Sequence, residues 1–489
     1  MDRSNDGDFS RSNGADFLQL NAADVPAGGL ADWLTDQVRT AISDGRLPIG
    51  SRLPATRQLA TELRISRGVV TEAYQRLTEE GQVSGRGRAG TIVVAAPAVA
   101  PAARARSYEP PQMTAPGLDI FVELRAAPAH IDLTPGVPDL ASFPRAAWLR
   151  SERAVLNDLE PAAFGYGDPS GTPALRRAVS AWLARYRGIT AHPDEVIIVA
   201  GVSQAIALLA QFLTERGIGE VAVEDPGSLG SRQHLQEWQL RTPPIPVDSG
   251  GLQVDVLRKS GAPVVMVTPA HHFPTGVVLE GERRRDLLQW AAEGGLIFED
   301  DYDAEHRYDR PPVPALRSMQ AEQVLYAGSV SKLLAPALRI GWIVPPAQHR
   351  DDFIALKRRA DLGNASLPQL TLAHLMESGE LERQLRYVHR RHRTRRDALA
   401  TAVATYLPTA TIHGAAAGLH LTITFPPDID DKALAAAALS KGIKVHPLSW
   451  HCQLPHAPGL VLGYAARTPT ALTEAIQTIA TLLTPSPTT

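Results

Sequence analysis

Apolar positions near the start of the chain recur at helical spacing: Leu30, Trp33, Leu34, Val38, Ala41 and Ile42, with Gly45 as a stop. The pattern predicts a helix there and a second, short one over Thr56 to Leu63. A third helix, opened by Ser66 at an N-cap position, is carried by Val69, Val70, Ala73, Tyr74 and Leu77 as far as Gly81. Two helices joined by so short a turn form a helix-turn-helix, whose second helix enters the major groove of a duplex. The following VSGRGRAGTIVV reads as a glycine-rich hairpin with Arg86 and Arg88 at its tip, the layout of a wing. Farther on the period changes. Short apolar runs at 196–200, 221–225, 264–268, 296–300, 324–328 and 340–344 alternate with helical stretches, which predicts a mostly parallel α/β sheet covered on both faces. From about residue 365 to 489, long helical patterns precede strands in LHLTITF (419–425) and IKVHPL (443–448), as in a smaller α+β part.

Composition sets the boundaries between these blocks. Residues 1–27 are mostly polar and rich in Asn, Asp and Ser, and are expected to form a disordered extension. Repeated Pro and Ala between Ala95 and Pro116 predict a semi-stiff linker over 96–118. It separates a small domain, 28–95, from a large one, 119–489. The whole chain of 489 residues carries 49 basic and 52 acidic side chains, a net charge of −3, so any duplex-binding part must be local. Within 28–95 nine Arg face seven acids, so the orientation of charge matters more than its sum. One cysteine, Cys452, excludes an intrachain disulfide framework and a Cys-rich zinc site. With no apolar run of about 18 residues and no apolar signal core at the start, no membrane association and a cytoplasmic location are expected.

The segment 53–93 resembles the winged helix-turn-helix of GntR-type bacterial regulators, with second helix, recognition helix and wing in order. The resemblance implies a double-stranded DNA operator as partner, with Arg57, Ser66, Arg67 and Thr71 facing it at the helix ends. Arg86 and Arg88 would reach phosphate or the minor groove from the wing. Arginine suits this work because it pairs a phosphate or a guanine edge with two parallel hydrogen bonds. Arg64 stands in the turn where the family usually has Gly, a position that can require positive φ.

The large block resembles fold-type I, aminotransferase-like pyridoxal 5'-phosphate (PLP) proteins. Seven motifs in order carry the likeness: 131–144, YGDPSGTPALR (166–176), GVSQAI (201–206), EDPG (224–227), TPAHHFPTG (268–276), EDDYDAEHRY (299–308) and GSVSKLLAPALRIG (328–341). Together with the reader domain, the chain resembles MocR/GabR-type transcriptional regulators. PLP is then the expected cofactor, held as an aldimine at Lys332. Asp300, at a strand end, would pair the pyridine nitrogen, with Asp301 as the alternative if the register slips by one. Tyr302 would donate to the ring's 3-oxygen. Gly201, Val202, Ser203 and Gln204 open a helix whose amides can hold phosphate, aided by Ser329, Ser331 and Arg339. Tyr166 would reach the phosphate of a partner subunit, which implies a homodimer. His271, beside His272, is assigned to the cofactor pocket; two histidines make an incomplete metal-ligand set, and no metal is expected.

Departures from the family pattern narrow the function. Ser228 stands where relatives commonly stack an aromatic residue on the cofactor. Gly230 and Val461 stand where arginines bind an effector or substrate carboxylate in relatives, with Arg467 or the His451–His456 region as the alternative source of a cation if the register slips. The run RYVHRRHRTRR (386–396) is expected on a helix, solvated or pairing acids at i,i+4, with an auxiliary DNA contact as the alternative. The combined reading is a regulator rather than an enzyme, with PLP itself as effector, as in the vitamin-B6-responsive branch. An amine or amino-acid effector and an active aminotransferase are the alternatives.

Overall fold

The computed structural model describes residues 20, 22, 25, 29–85, 87, 90–95, 116–303, 305–308, 313–414 and 417–483. The chain divides into two compact units, Met1–Tyr108 and Glu109–Thr489. The disordered extension and the linker expected from composition fall almost wholly outside the described residues.

In the first unit, helices Leu30–Ser43, Thr56–Leu63 and Arg67–Glu79 are followed by strands Val83–Gly85 and Thr91–Val93. The strands pair antiparallel with Val83 opposite Val93. Leu34, Val38, Leu59, Val70, Leu77 and both of these valines form its core. The turn between the second and third helices is made by Arg64 in the left-handed region, φ 54° and ψ 38°. The side-chain hydroxyl of Ser66 then accepts from the Val69 N–H at 3.3 Å and caps the third helix.

The second unit is built on an eight-stranded sheet in the order Ile197–Val199, Gly341–Val344, Val324–Ser329, Leu296–Asp301, Val264–Val267, Ala222–Asp225, Pro244–Asp248, Gly251–Leu252. The five strands from Val324–Ser329 to Pro244–Asp248 run parallel. Gly341–Val344 is antiparallel to both its neighbours. Successive residues on these strands enter different cores. Ile198, Tyr326 and Trp342 pack with Val179, Trp182 and Leu372 on one face. Ile197, Leu325 and Ile343 pack with Ile206, Leu209 and Phe353 on the other. A sheet covered on both sides leaves no polar alternation, which is why its strands read as continuous apolar runs. Pro244–Asp248 escaped that reading because its two prolines mask the pattern.

A four-stranded antiparallel sheet, in the order Thr411–His413, His420–Thr424, Gly459–Gly463, His446–Pro447, forms a second layer. Its membership differs from the expected 365–489. Helix Ser366–Glu377 packs Leu372, Leu375 and Met376 against the large sheet. Conversely, Ile120, Leu124, Ile131 and Leu133 join Leu421, Leu462 and Ile476 in the small layer. Ile131–Asp132 pairs parallel with Ile443–Lys444 there, a pairing across some three hundred residues that local periodicity does not reveal.

The register gathers one edge of the large sheet. Ser329 lies opposite Gly341, Gly341 opposite Val199, and Gly328 opposite Asp301. Gly201, Ser329, Asp300 and Asp225 therefore share the edge where parallel strands end, which is where ligands bind in such sheets.

Candidate functional site

Lys332 follows the strand that ends at Ser329, and its ammonium donates to the carbonyl of Gly136 at 2.6 Å. Gly136 has φ +76°, and a Cβ added there would lie 2.9 Å from Nζ. Burial lowers the Lys332 pKa, while the charges of Asp303 and Asp300 oppose the shift. A lysine so placed reaches its neutral, nucleophilic form more readily than one in water.

The two adjacent acids point to opposite sides of the sheet, as strand geometry requires. Asp301 is engaged: its Oδ2 forms a fully buried ion pair with Arg187 and accepts from the Tyr326 hydroxyl at 2.6 Å. Asp300 is buried, and among the described residues neither of its oxygens meets a donor, whereas Asp301 lacks one only at Oδ1. Burial, then the charges of Asp301 and Asp303, push its carboxyl up to about 7, against the pull of Lys332. A buried carboxylate without a donor is a seat for a cationic N–H. The pair can be separated experimentally. Asp301→Asn leaves Arg187 buried without its counter-charge and should destabilise the protein by about 3–5 kcal/mol in denaturant unfolding. Asp300→Asn should leave stability near that of the parent and reduce cofactor retention.

Tyr302 and Asp303 both meet His271. The Tyr302 hydroxyl lies 3.1 Å from His271 Nδ1, and the Asp303 carboxylate 3.0 Å from the same atom. Burial raises the Tyr302 pKa well above its usual value, so the phenol stays protonated. His272 is turned elsewhere, with Nδ1 2.6 Å from the Thr275 hydroxyl, and burial lowers its pKa to about 3. Next to it, Glu224 accepts from the amide and hydroxyl of Thr268 at 2.9 and 2.7 Å. Burial nevertheless lifts the Glu224 carboxyl to about 8.

Gly201, at φ 86°, caps helix Val202–Thr214. The N–H groups of Val202 and Ser203 meet no acceptor among the described residues. A Cβ on Gly201 would lie 3.4 Å from Arg339 Nη1, so the guanidinium closes over these amides. Arg339 makes no ion pair among the described residues, and its own φ is 51°. Ser329 Oγ accepts from the Ser331 N–H at 3.3 Å at the same edge. The Gln204 side chain is already committed, accepting from Ala200 N and donating to Asp361 Oδ2, both at 2.7 Å. Its backbone N–H turns back to Gly201. Tyr166 is 96% exposed, outside this cluster.

A neutralisable lysine, an unpartnered buried carboxylate and two free amides beside an arginine fit a ligand carrying an aldehyde, a ring nitrogen and a phosphate. That is the composition of PLP, which would supply a carbonyl for the Lys332 amine. Gly136 and Asp303 were missed by sequence reasoning: a glycine carbonyl has no signature, and Asp303 was read only as part of its motif.

At the reader, Arg57, Ser66, Arg67 and Thr71 are all exposed. Ser66 is occupied as a cap, Thr71 donates to the Arg67 carbonyl at 2.9 Å, and Arg67 Nε donates to the Thr56 hydroxyl at 3.4 Å. Arg39, Arg46 and Arg76 are each paired with acids. Arg57, Arg64 and Arg67 have no carboxylate partner among the described residues. Arg52, beside the strand Thr91–Val93, likewise has none among the described residues. Arg86 and Arg88 lie outside the described residues.

The departures are structural as well. Ser228 caps helix Leu229–Glu237, accepting from Ser231 N at 3.2 Å. A Cβ on Gly230 would lie 3.4 Å from the Phe121 ring. Val461 is buried within its strand between Thr422 and His446. The basic run departs from its expected i,i+4 pairing. Arg391 and Arg395 bind Asp139 at 2.8 and 2.9 Å, an acid from far away in the sequence, and His392 is buried.

Residues 30–93 match the family of bacterial regulatory proteins, gntR family, and residues 129–479 match aminotransferase class I and II. The chain is 31% identical over 457 residues to a probable rhizopine catabolism regulatory protein, MocR, of Rhizobium meliloti, covering 91% of this chain and 92% of that protein. It is 28% identical over 437 residues to the pyridoxine biosynthesis transcriptional regulator PdxR of Corynebacterium glutamicum, covering 88% and 91%. Among solved structures, Pyrococcus horikoshii kynurenine aminotransferase superposes with a TM-score of 0.68 at 25% identity, covering 75% of this chain and 94% of that one. Among the described residues no helix is long and apolar enough to cross a membrane. A gntR-family reader joined to an aminotransferase class I and II body, with 31% identity to MocR over nine tenths of both chains, shows that this chain belongs to the family of MocR-type transcriptional regulators.

Proposed function

We propose that this regulator binds PLP covalently through Lys332 and that PLP is itself the effector that changes its grip on the operator. The observation that carries the reading is the fate of the three departing positions. Ser228 is spent on a helix cap, Gly230 faces Phe121, and Val461 is buried in a sheet. None offers a cation to an incoming carboxylate, and a buried carboxylate without a partner is costly. The pyridoxine-biosynthesis role in the name of one relative supports the same reading. In the assigned roles, Asp300 pairs the ring nitrogen, and Tyr302, steadied by His271, faces the ring oxygen. The amides of Val202 and Ser203 hold the phosphate with Ser329, Ser331 and Arg339. The exposed Tyr166 serves the phosphate of a second copy in a homodimer.

A ligand alters DNA binding only if it favours one arrangement of the protein over another. Full-length protein, freed of cofactor and then reloaded with PLP, should differ in affinity for DNA from upstream of its own gene by roughly 5-fold or more in a band-shift titration. Equal affinities would remove PLP as effector while leaving it as cofactor. An amine or amino-acid effector is the second reading, and the rhizopine-catabolism role in another relative's name is in keeping with an effector other than PLP. A specific spectral change with one amine, accompanied by altered DNA binding, would establish that reading instead. Multiple-turnover amino transfer would establish an enzyme.

A further inference from the structure

The helix Glu380–Tyr406 carries a run of basic residues that the fold divides in two. One set is inside: Arg391 and Arg395 converge on Asp139, and Arg396 pairs with Asp397. The other set is outside. Arg383, Arg386, Arg390 and Arg393 are exposed. Their spacing of three, four and three residues places them on one stripe of a helix, spanning about 15 Å. Arg386, Arg390 and Arg393 make no ion pair among the described residues. Pro144, Gln384 and Tyr387 join Arg383, Arg386 and Arg390 around a groove of about 370 Å³. Its one acid, Glu380, is already held by Arg383 at 2.6 Å and by Arg150 at 3.4 Å.

We infer that this stripe is a second duplex-binding surface, one that holds the phosphate backbone without reading sequence. Like charges at i,i+4 disfavour a helix slightly, and the chain as a whole is weakly acidic. A row of uncompensated guanidinium groups in that setting matches a row of phosphates. A lipid surface fits less well. Membrane-lying helices need an exposed apolar face, and the apolar side of this one, Leu381, Val388 and Leu399, is buried in the protein. The reader on the same chain would keep a duplex at high local concentration, so even a weak second contact adds to retention. The inference is independent of the cofactor reading.

The test uses the full chain and a long duplex of arbitrary sequence, titrated across a salt series. The triple variant R386Q/R390Q/R393Q should bind about tenfold more weakly near physiological salt, with a salt slope shallower by about 2–3. R386K/R390K/R393K should bind close to the parent, because a phosphate accepts a point charge. Should the glutamine triple unfold, R390Q alone should flatten the slope by about 1. Unchanged affinity and slope in the glutamine variants would overturn the inference. So would weak binding by the lysine triple, or a change of subunit number in sedimentation, which would make the stripe a subunit contact. Parent protein that preferred phosphatidylglycerol vesicles to the duplex would overturn it too. Arg67→Gln should weaken binding to the operator far more than binding to this arbitrary duplex, so failure of the reader assignment and failure of the stripe are distinguishable.

Discussion

Lys332→Ala should leave a protein that stays colourless with PLP and shows no mass adduct after borohydride trapping, where the parent gains one cofactor per chain. The expected effect is complete because no other lysine offers the same setting. Lys357 is tied to Asp361 at 2.5 Å, and Lys444 donates to the Arg125 carbonyl at 3.3 Å. Lys332 alone combines lowered basicity with a place beside Asp300 and Asp303. The fold should survive. Among the described residues the one hydrogen bond lost is that to the Gly136 carbonyl, a net contribution of about 1 kcal/mol, so the melting temperature should move little. An adduct on the alanine variant, located by peptide mapping, would mean that the covalent site is elsewhere.

Arg67→Gln should weaken operator binding by about 1–3 kcal/mol, roughly 5- to 150-fold, if the side chain reads a base edge. Cofactor uptake should be unaffected. Arg67 opens the recognition helix, is exposed and has no acid to release before it meets DNA. Arg76 on the same helix is the control. It is held by Asp32 and Glu72, so Arg76→Gln should alter stability slightly and DNA binding hardly at all. Full-strength operator binding by the Arg67 variant would place the recognition surface on another element.

The reader domain was legible almost residue by residue. Its three helices are local, amphipathic and punctuated by Gly45, Ser66 and Gly81, and the unusual Arg64 takes the left-handed turn that its position demanded. The large sheet was legible as apolar runs, except where prolines mask Pro244–Asp248. The site was legible only in part. A motif can nominate Asp300 and Asp301 together, but their separation depends on Arg187 and Tyr326, which reach one of them from other elements. The run at 386–396 is helical and solvated at Arg386, Arg390 and Arg393, as expected, but local spacing gave no hint that Arg391 and Arg395 turn inward to Asp139, which is distant in sequence.

Gly136 sits only a few residues beyond the strand Ile131–Asp132, which is anchored in the small layer by Ile443–Lys444. Helix Ile120–Ala126, with Ile120 and Leu124 buried in the same layer, lies between that strand and the Pro/Ala-rich run of the sequence. Whatever consumes the amine of Lys332 must therefore take a donor away from a carbonyl in the loop that follows this anchored strand. Losing that amine leaves the Gly136 carbonyl, held at φ +76°, to find another donor, so the loop itself registers what happens at one nitrogen.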